Sequence, residues 1–256
     1  MALWELAAPR RSAGPSRAQR WPGNLGLVVV DTALLRLVFP AAAVGFAILV
    51  EQRGWGLLPS IELPTWLAVV VAVLFLDLII YLQHVLFHAV PLLWRLHRVH
   101  HTDLAVDVTT GLRFHPLEIL LSMAIKITAI AAVGAPPVAV LIFEVLLNAV
   151  TMFNHGNVRM PERVDRWLRL VVVTPDMHRV HHSVVREETN SNFGFNFPWW
   201  DRWLGTYRAQ PAAGHLGMQI GIEQFREAGA SRLDRLLLQP LREPPTVHPV
   251  SGGPGS

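Results

Sequence analysis

The sequence predicts an all-α integral membrane protein: about four transmembrane helices, with a cytoplasmic helical cap that carries a histidine-rich di-metal site. Three observations predict it. Of 256 residues, 52% are hydrophobic and only 16% charged, and mean hydropathy is positive, a balance that suits a bilayer better than water. The apolar residues gather into runs separated by arginine-rich loops. Eight of the twelve histidines fall into three clusters at helical spacing: His84/His88, His97/His100/His101 and His178/His181/His182.

Taken in order, residues 1–24 hold Arg10, Arg11, Arg17 and Arg20 among Pro, Ser and Gly and read as a disordered basic tail. No cleavable leader is expected, because the apolar run lies too far in. Residues 25–210 form the membrane domain. A first span falls within 26–50, most clearly Leu37 to Val50, with Asp31 and Arg36 at its start, a kink at Pro40 and Glu51-Gln52-Arg53 at its end. A second runs from Trp66 to Leu82, its helix continuing through His88 until Pro91 closes it. A third, Leu117 to Val133, stops at Gly134-Ala135-Pro136-Pro137. A fourth, Val138 to Phe153, delivers Asn154 and His155. The last two are about 16–17 residues each, short against the ~20 of a straight span. They read as tilted spans or as a hairpin dipping in from one side. Either way the chain leaves on the side it entered.

Beyond them, residues 162–173 read as an amphipathic interfacial helix, with Trp167, Leu168 and Val171 on one face. The Asn-, Gly-, Phe- and Trp-rich stretch 190–208 suits a headgroup belt or a pocket wall. Residues 211–256 are a polar extension, disordered from about 240, which leaves His248 without a role. Arginines crowd the tail, the loop with Arg95, Arg98 and Arg113, and the segment after 158, whereas loops 51–63 and 134–137 hold one. By the positive-inside rule the histidine side is cytoplasmic. The Arg-for-Lys bias and the Ala, Val and Pro content point to a GC-rich bacterial genome, and so to a bacterial cytoplasmic membrane. Lys126 is the only lysine and net charge is +3, which fits membrane orientation and no nucleic acid. With no cysteine, thiolate ligands and an internal iron–sulfur cluster are excluded, so any electrons come from outside the chain.

The clusters carry the chemistry. His84 and His88 are i, i+4 on one helix face, and His97, His100 and His101 share a face at i, i+3, i+4. The pentad His97-Arg98-Val99-His100-His101 recurs letter for letter as His178-Arg179-Val180-His181-His182. A single buried histidine is usually a hydrogen-bonded core residue, but eight imidazoles exceed the needs of one ion, and two metals sharing an all-histidine site is the economical reading. Imidazoles alone suit zinc, copper, nickel or iron. A zinc protease lacks its glutamate here, because His84-Val-Leu-Phe-His88 is not HExxH, and no ExxH pairs mark a carboxylate di-iron bundle. Asp77, seven residues before His84, either orients a ligand histidine or pairs with a polar neighbour such as Lys126. Glu144 and Asn148 either support the site or bond between helices. Asp176 is a candidate N-cap for the last cluster, and His115 is a structural or substrate-side residue.

The pattern HxxxH, HxxHH, HxxHH resembles the fatty acid hydroxylase/sterol desaturase superfamily. Asp77, Tyr81, LWRLH at 93–97, RFHPLE at 113–118, NHGN at 154–157 and NFGFNFPWWDRWLGTYR at 192–208 extend the resemblance over roughly residues 30–210. It implies two iron ions, O2 as co-substrate, a lipid substrate hydroxylated or desaturated at an unactivated C–H bond, and an external electron-donor protein. It also agrees with His155, at the interfacial depth of His88, as a ninth ligand; His115, held extended before Pro116 at the start of the third span, is not expected to be one. Asp77, Asn148 and Asp176 are the candidates, by position, for supporting residues around the ligands. Two other classes compete. A metal transporter would hold its site near mid-bilayer, whereas these clusters follow the ends of apolar runs. A bis-histidine haem protein needs paired histidines inside spans, and none lies within 66–82, 117–133 or 138–153.

Overall fold

The computed structural model describes residues 1–12 and 14–242. Among them there is no strand, only helices, turns and two isolated β-bridges. Four segments are long and apolar enough to cross a bilayer: 17–60, Thr65–Ala89, Pro116–Val133 and Pro137–Asn154. The protein is a multi-pass membrane protein. Exposed Leu37, Ile48, Trp66, Val70, Leu141 and Val145 face outward from these segments, as lipid contact requires.

The basic tail is ordered, contrary to the composition-based expectation. Helix α1 (Ala2–Ala7) buries Glu5, which accepts from the backbone N–H of Val108 at 2.8 Å and of Asn157 at 2.9 Å. Arg20, at the start of α2 (Arg17–Val38), is buried against Asp103 at 2.8 Å and against Asp107. Charges that look solvated in the sequence therefore staple the amino terminus to two loops that follow histidines.

The first span differs as well. Pro40 has no N–H to continue α2, and Ala42 takes a positive φ of 50°. The helix breaks there instead of kinking, and α3 (Ala42–Arg53) starts anew after it. Helix α4 (Thr65–Ala89) is the predicted second span, closed where Pro91 opens α5 (Pro91–His101). Helices α6 (Pro116–Val133) and α7 (Pro137–Asn154) have 18 residues each, about 27 Å at 1.5 Å per residue, close to a ~30 Å hydrocarbon core. They form a hairpin whose tip meets the loop after α3: Leu57 donates to the Ala132 carbonyl at 3.1 Å. A Cβ on Gly56, whose φ is +99°, would lie 2.1 Å from the Gly134 nitrogen, so only glycine fits.

Helices α3, α4, α6 and α7 share one apolar core that includes Leu76, Ile80, Ile130 and Phe143. Past the membrane helices, the predicted amphipathic helix is shorter than expected: α8 covers Glu162–Leu168, and Arg169 turns inward to pair with Asp165. Helices α9 (Pro175–His181), α10 (Arg186–Thr189), α11 (Trp199–Trp203) and α12 (Gly214–Gly217) follow. In α13 (Leu233–Arg242), Leu236 packs on Leu27 of α2 and Val99 of α5. Residues 240–242 are thus helical, and the rest of the expected disordered tail, with His248, lies outside the described residues.

Candidate metal centre

Each histidine owes its place to an element end. His84 and His88 occupy the last two turns of α4. The reversal at Val90-Pro91 sends α5 back along it, so that the Nε2 atoms of His84 and His97 lie 3.0 Å apart and those of His88 and His101 3.1 Å apart. His155 is the C-cap of α7, where Gly156 and Asn157 let the chain leave. Helix α9 carries His178 and His181, with His182 as its C-cap. Its N-cap is Thr174, whose side chain accepts from Met177 N–H. Asp176 is not the cap; it sits in the first turn, pairs with Arg179 and with Arg10 at 3.1 Å, and lies 3.6 Å from His215 Nε2.

The nine histidines collect into two groups that could each hold a metal ion: His84, His88, His97, His101 and His181, then His100, His155, His178 and His182. Within each group the candidate ligand nitrogens all lie within 4.8 Å of one another. The twin pentads split in mirror fashion. His97 and His101 enter the first group while His100 crosses to the second; His178 and His182 enter the second while His181 crosses to the first. An i, i+4 pair shares a face, and position i+3 is offset by about 60° from i and about 100° from i+4, on the same side of both, which is enough to aim it at a neighbouring site. The groups abut, with the His101 and His182 rings stacked at 4.7 Å.

Hydrogen bonding at Nδ1 shows what the set fits. His84 Nδ1–H donates to the Phe193 carbonyl at 2.7 Å, His155 to the Thr151 carbonyl at 2.8 Å, and His181 to the Ser191 carbonyl at 2.8 Å. His97 Nδ1–H donates to Glu118 Oε1 at 2.6 Å, and His88 to Asn190 Oδ1 at 3.3 Å. A neutral imidazole with its proton on Nδ1 has a bare lone pair on Nε2. The Nε2 atoms of His84 and His97 therefore aim lone pairs at each other across 3.0 Å, which is repulsive unless a cation lies between them. Two ligands about 2.1 Å from one ion and at right angles to each other would be about 3.0 Å apart. His181 Nε2 and both ring nitrogens of His182 are buried without a hydrogen-bond partner among the described residues. The residues fit a pair of transition-metal ions.

Burial sets the protonation state. All nine histidines are at most 2% exposed. Loss of solvation pushes the His97 pKa down to about 3 and that of His155 down to about 4. Burial, then mutual repulsion among imidazoles, holds His100, His101, His178 and His182 well below the ordinary value. These six are neutral at pH 7, the form that ligates metal.

Of the other singled-out residues, Asp77 touches no histidine: its Oδ2 accepts from Trp200 Nε1 at 2.7 Å, tying α4 to α11. Asn148 is exposed and donates to the Glu144 carbonyl one turn back, and Glu144 pairs with Lys126 at 2.7 Å. His115 stands apart from both groups; its Nδ1 caps α6 through Leu117 N–H, and its Nε2–H reaches the Leu237 carbonyl at 3.2 Å.

Sequence reasoning missed Glu118 and Asp201. The available signal for Glu118 was an acid at the head of an apolar helix, three residues after His115. Asp201 accepts from Phe193 N–H at 2.8 Å and Gly194 N–H at 2.9 Å, fixing the loop that offers carbonyls to His84 and His181. Burial raises its pKa to about 6. A Cβ on Gly194 would sit 2.8 Å from both Asp201 Oδ2 and the Phe197 carbonyl, so the loop closes only around glycine.

A cavity of about 280 Å³ opens from this shell into the membrane helices, lined at one end by His84, His97 and Glu118 and farther along by Leu35, Met123 and Leu147. The family model for fatty acid hydroxylases matches residues 69–206. The ornithine lipid hydroxylase of Rhizobium tropici is 32% identical over 58% of this chain and 44% of its own length. The cholesterol 25-hydroxylase of Rattus norvegicus is 29% identical over 79% and 65%, and the alkylglycerol monooxygenase of Caenorhabditis elegans 27% over 75% and 37%. The chain thus matches about a third to two thirds of the length of these relatives. No solved structure matches it.

Proposed function

The chain belongs to the fatty acid hydroxylase family, within the fatty acid hydroxylase/sterol desaturase superfamily, and from that premise we propose that it is an O2-dependent oxygenase, with iron in its two histidine groups, that hydroxylates or desaturates a lipid at an unactivated C–H bond. The observation that carries the reading is the cavity, which begins at His84 and His97 and runs between α2, α4, α6 and α7. A bilayer lipid reaches such a space without crossing water. At about 280 Å³ it takes a stretch of a lipid, near the small end of ligand pockets. The three relatives are named for ornithine lipid, cholesterol and alkylglycerol, and a lipid is the class they share.

When bound, the iron pair supplies the reduction of O2 and the oxidation of the C–H bond. This chain's residues prepare the place. Phe193, Ser191, Thr151 and Glu118 hold four imidazoles with Nε2 facing inward, so little reorganisation accompanies metal binding. Phe114 stacks on His100 at 4.6 Å, and Phe193 lies 5.1 Å from the His88 ring; these rings exclude water from the site. Hydroxylation consumes O2, two electrons and two protons and releases one water beside the alcohol. The cysteine-free chain relies on an external donor protein for those electrons. The arginine asymmetry supports a cytoplasmic site in a bacterial membrane, and cysteines placed at Ala105 and Arg186 should then be labelled from the cytoplasm alone.

The test is metal analysis of the purified full chain together with lipid profiling of a host with and without it. Two irons per chain and a lipid that gains one oxygen, or loses two hydrogens, are expected. Full occupancy by another metal with an unchanged lipid profile would overturn the reading.

A further inference from the structure

The sequence places Asp31 at the start of a span, at the water boundary. In the structure it is 7% exposed, on α2, and lines the cavity together with Thr32 and Glu118. Its Oδ1 atom is buried with no hydrogen-bond partner among the described residues, and no cation pairs with it there. Of the neighbouring acids, Glu118 holds His97 through Oε1 while its Oε2 is also buried and unpartnered among the described residues, and Glu144 holds Lys126. On the facing wall, Gln83 donates to Ser122 at 3.1 Å, and its own Oε1 is likewise buried and unpartnered. Three buried acceptor oxygens, on α2, α4 and α6, thus belong to residues lining one cavity that His84 also lines, and a buried acceptor without a donor is unfavourable.

We propose that Asp31 is the recognition site for a hydrogen-bond donor on the lipid substrate, a hydroxyl or an ammonium group, held close to the carbon that is oxidised. This deepens the oxygenase reading and rests on it. The lining carries three carboxyl groups, Asp31, Glu118 and Glu144, against one ammonium, Lys126, which Glu144 already occupies. Such a cavity presents acceptors that lack a donor among the described residues, so it favours a group that donates. Gln83 Oε1 offers a second acceptor for the same group.

The test is equilibrium binding to the full chain in phosphatidylcholine nanodiscs, metal-free and metal-loaded, by competition against a fluorescent alkyl probe. The ligands are hexadecylamine, hexadecanol, palmitate and hexadecane. The wild type should bind the amine, the alcohol or both about tenfold to a hundredfold tighter than hexadecane, with palmitate weaker than the alcohol. Asp31→Leu should erase that preference and leave hexadecane binding intact. The near-isosteric Asp31→Asn should keep the alcohol and lose the amine, which separates the two donor types. A preference unchanged in both variants, or a wild type that binds no donor tighter than hexadecane, overturns the proposal. Binding needs no turnover, so the two readings fail separately. Discrimination through Asp31 without any lipid oxidation would sink only the oxygenase, and oxidation without it only the role of Asp31.

Discussion

Replacing Glu118 by leucine separates a residue that serves the metals from one that serves the fold. Glu118 is 4% exposed, and its Oε1 accepts the Nδ1–H of His97 at 2.6 Å. Removing it leaves that N–H buried and unpartnered, at a cost of about 1–3 kcal/mol, and frees the His97 proton to move to Nε2, where it would block the metal. Loss of a carboxylate that orients a ligand histidine typically lowers metal affinity about 10–100-fold, or about 1.4–2.8 kcal/mol. The metal-free protein should respond differently. In metal-free protein the displaced proton can sit on His97 Nε2 and bond His84 Nε2 at 3.0 Å, and a buried carboxyl whose Oε2 has no partner among the described residues is gone, so these gains offset most of that cost and the net change should be within about 1 kcal/mol. Glu118→Gln should fall between, because its amide oxygen still accepts from Nδ1. The assay is metal titration against a competing chelator in detergent, alongside thermal unfolding of metal-free protein. Wild-type affinity in Glu118→Leu would refute the reasoning, because His97 would then need no partner to present Nε2.

His155→Ala should lose metal from the second group, whereas His115→Ala should retain full stoichiometry and lose only about 1 kcal/mol of stability with its cap; metal analysis and thermal unfolding check both. Gly194→Ala should displace the Phe193 carbonyl from His84, because the new Cβ would approach Asp201 Oδ2 and the Phe197 carbonyl at 2.8 Å. A cost of about 1–3 kcal/mol and lower metal content are expected, read by unfolding and metal analysis. Metal-free protein should also weaken on acidification. The buried histidines bind fewer protons than the unfolded chain because their pKa values are depressed, so stability is complete above about pH 6.5 and falls as pH drops toward 4. A melting temperature that is flat or rises over that window would contradict the neutral-imidazole assignment.

Much of the protein was legible in one dimension because its strongest signals are local. Helical spacing alone pairs His84 with His88 and groups each pentad on a helix. Continuous apolar runs ending at Pro91, Gly134 and Asn154 mark α4, α6 and α7 within a residue or two, since lipid leaves backbone polar groups no partner except their own helix. Tertiary structure decided what spacing cannot encode. Arg20 and Asp31 read as solvent-side charges, yet they are buried, because the partners of Arg20, and for Asp31 a cavity, lie on segments distant in sequence. Asp77 bonds Trp200 and not a histidine, while Glu118 and Asp201, given no role by any local pattern, orient the site. The division of nine histidines into five and four is of the same kind. A repeated pentad carries one instruction twice, and only the meeting of its two copies in the folded chain sends His100 and His181 across to each other's group.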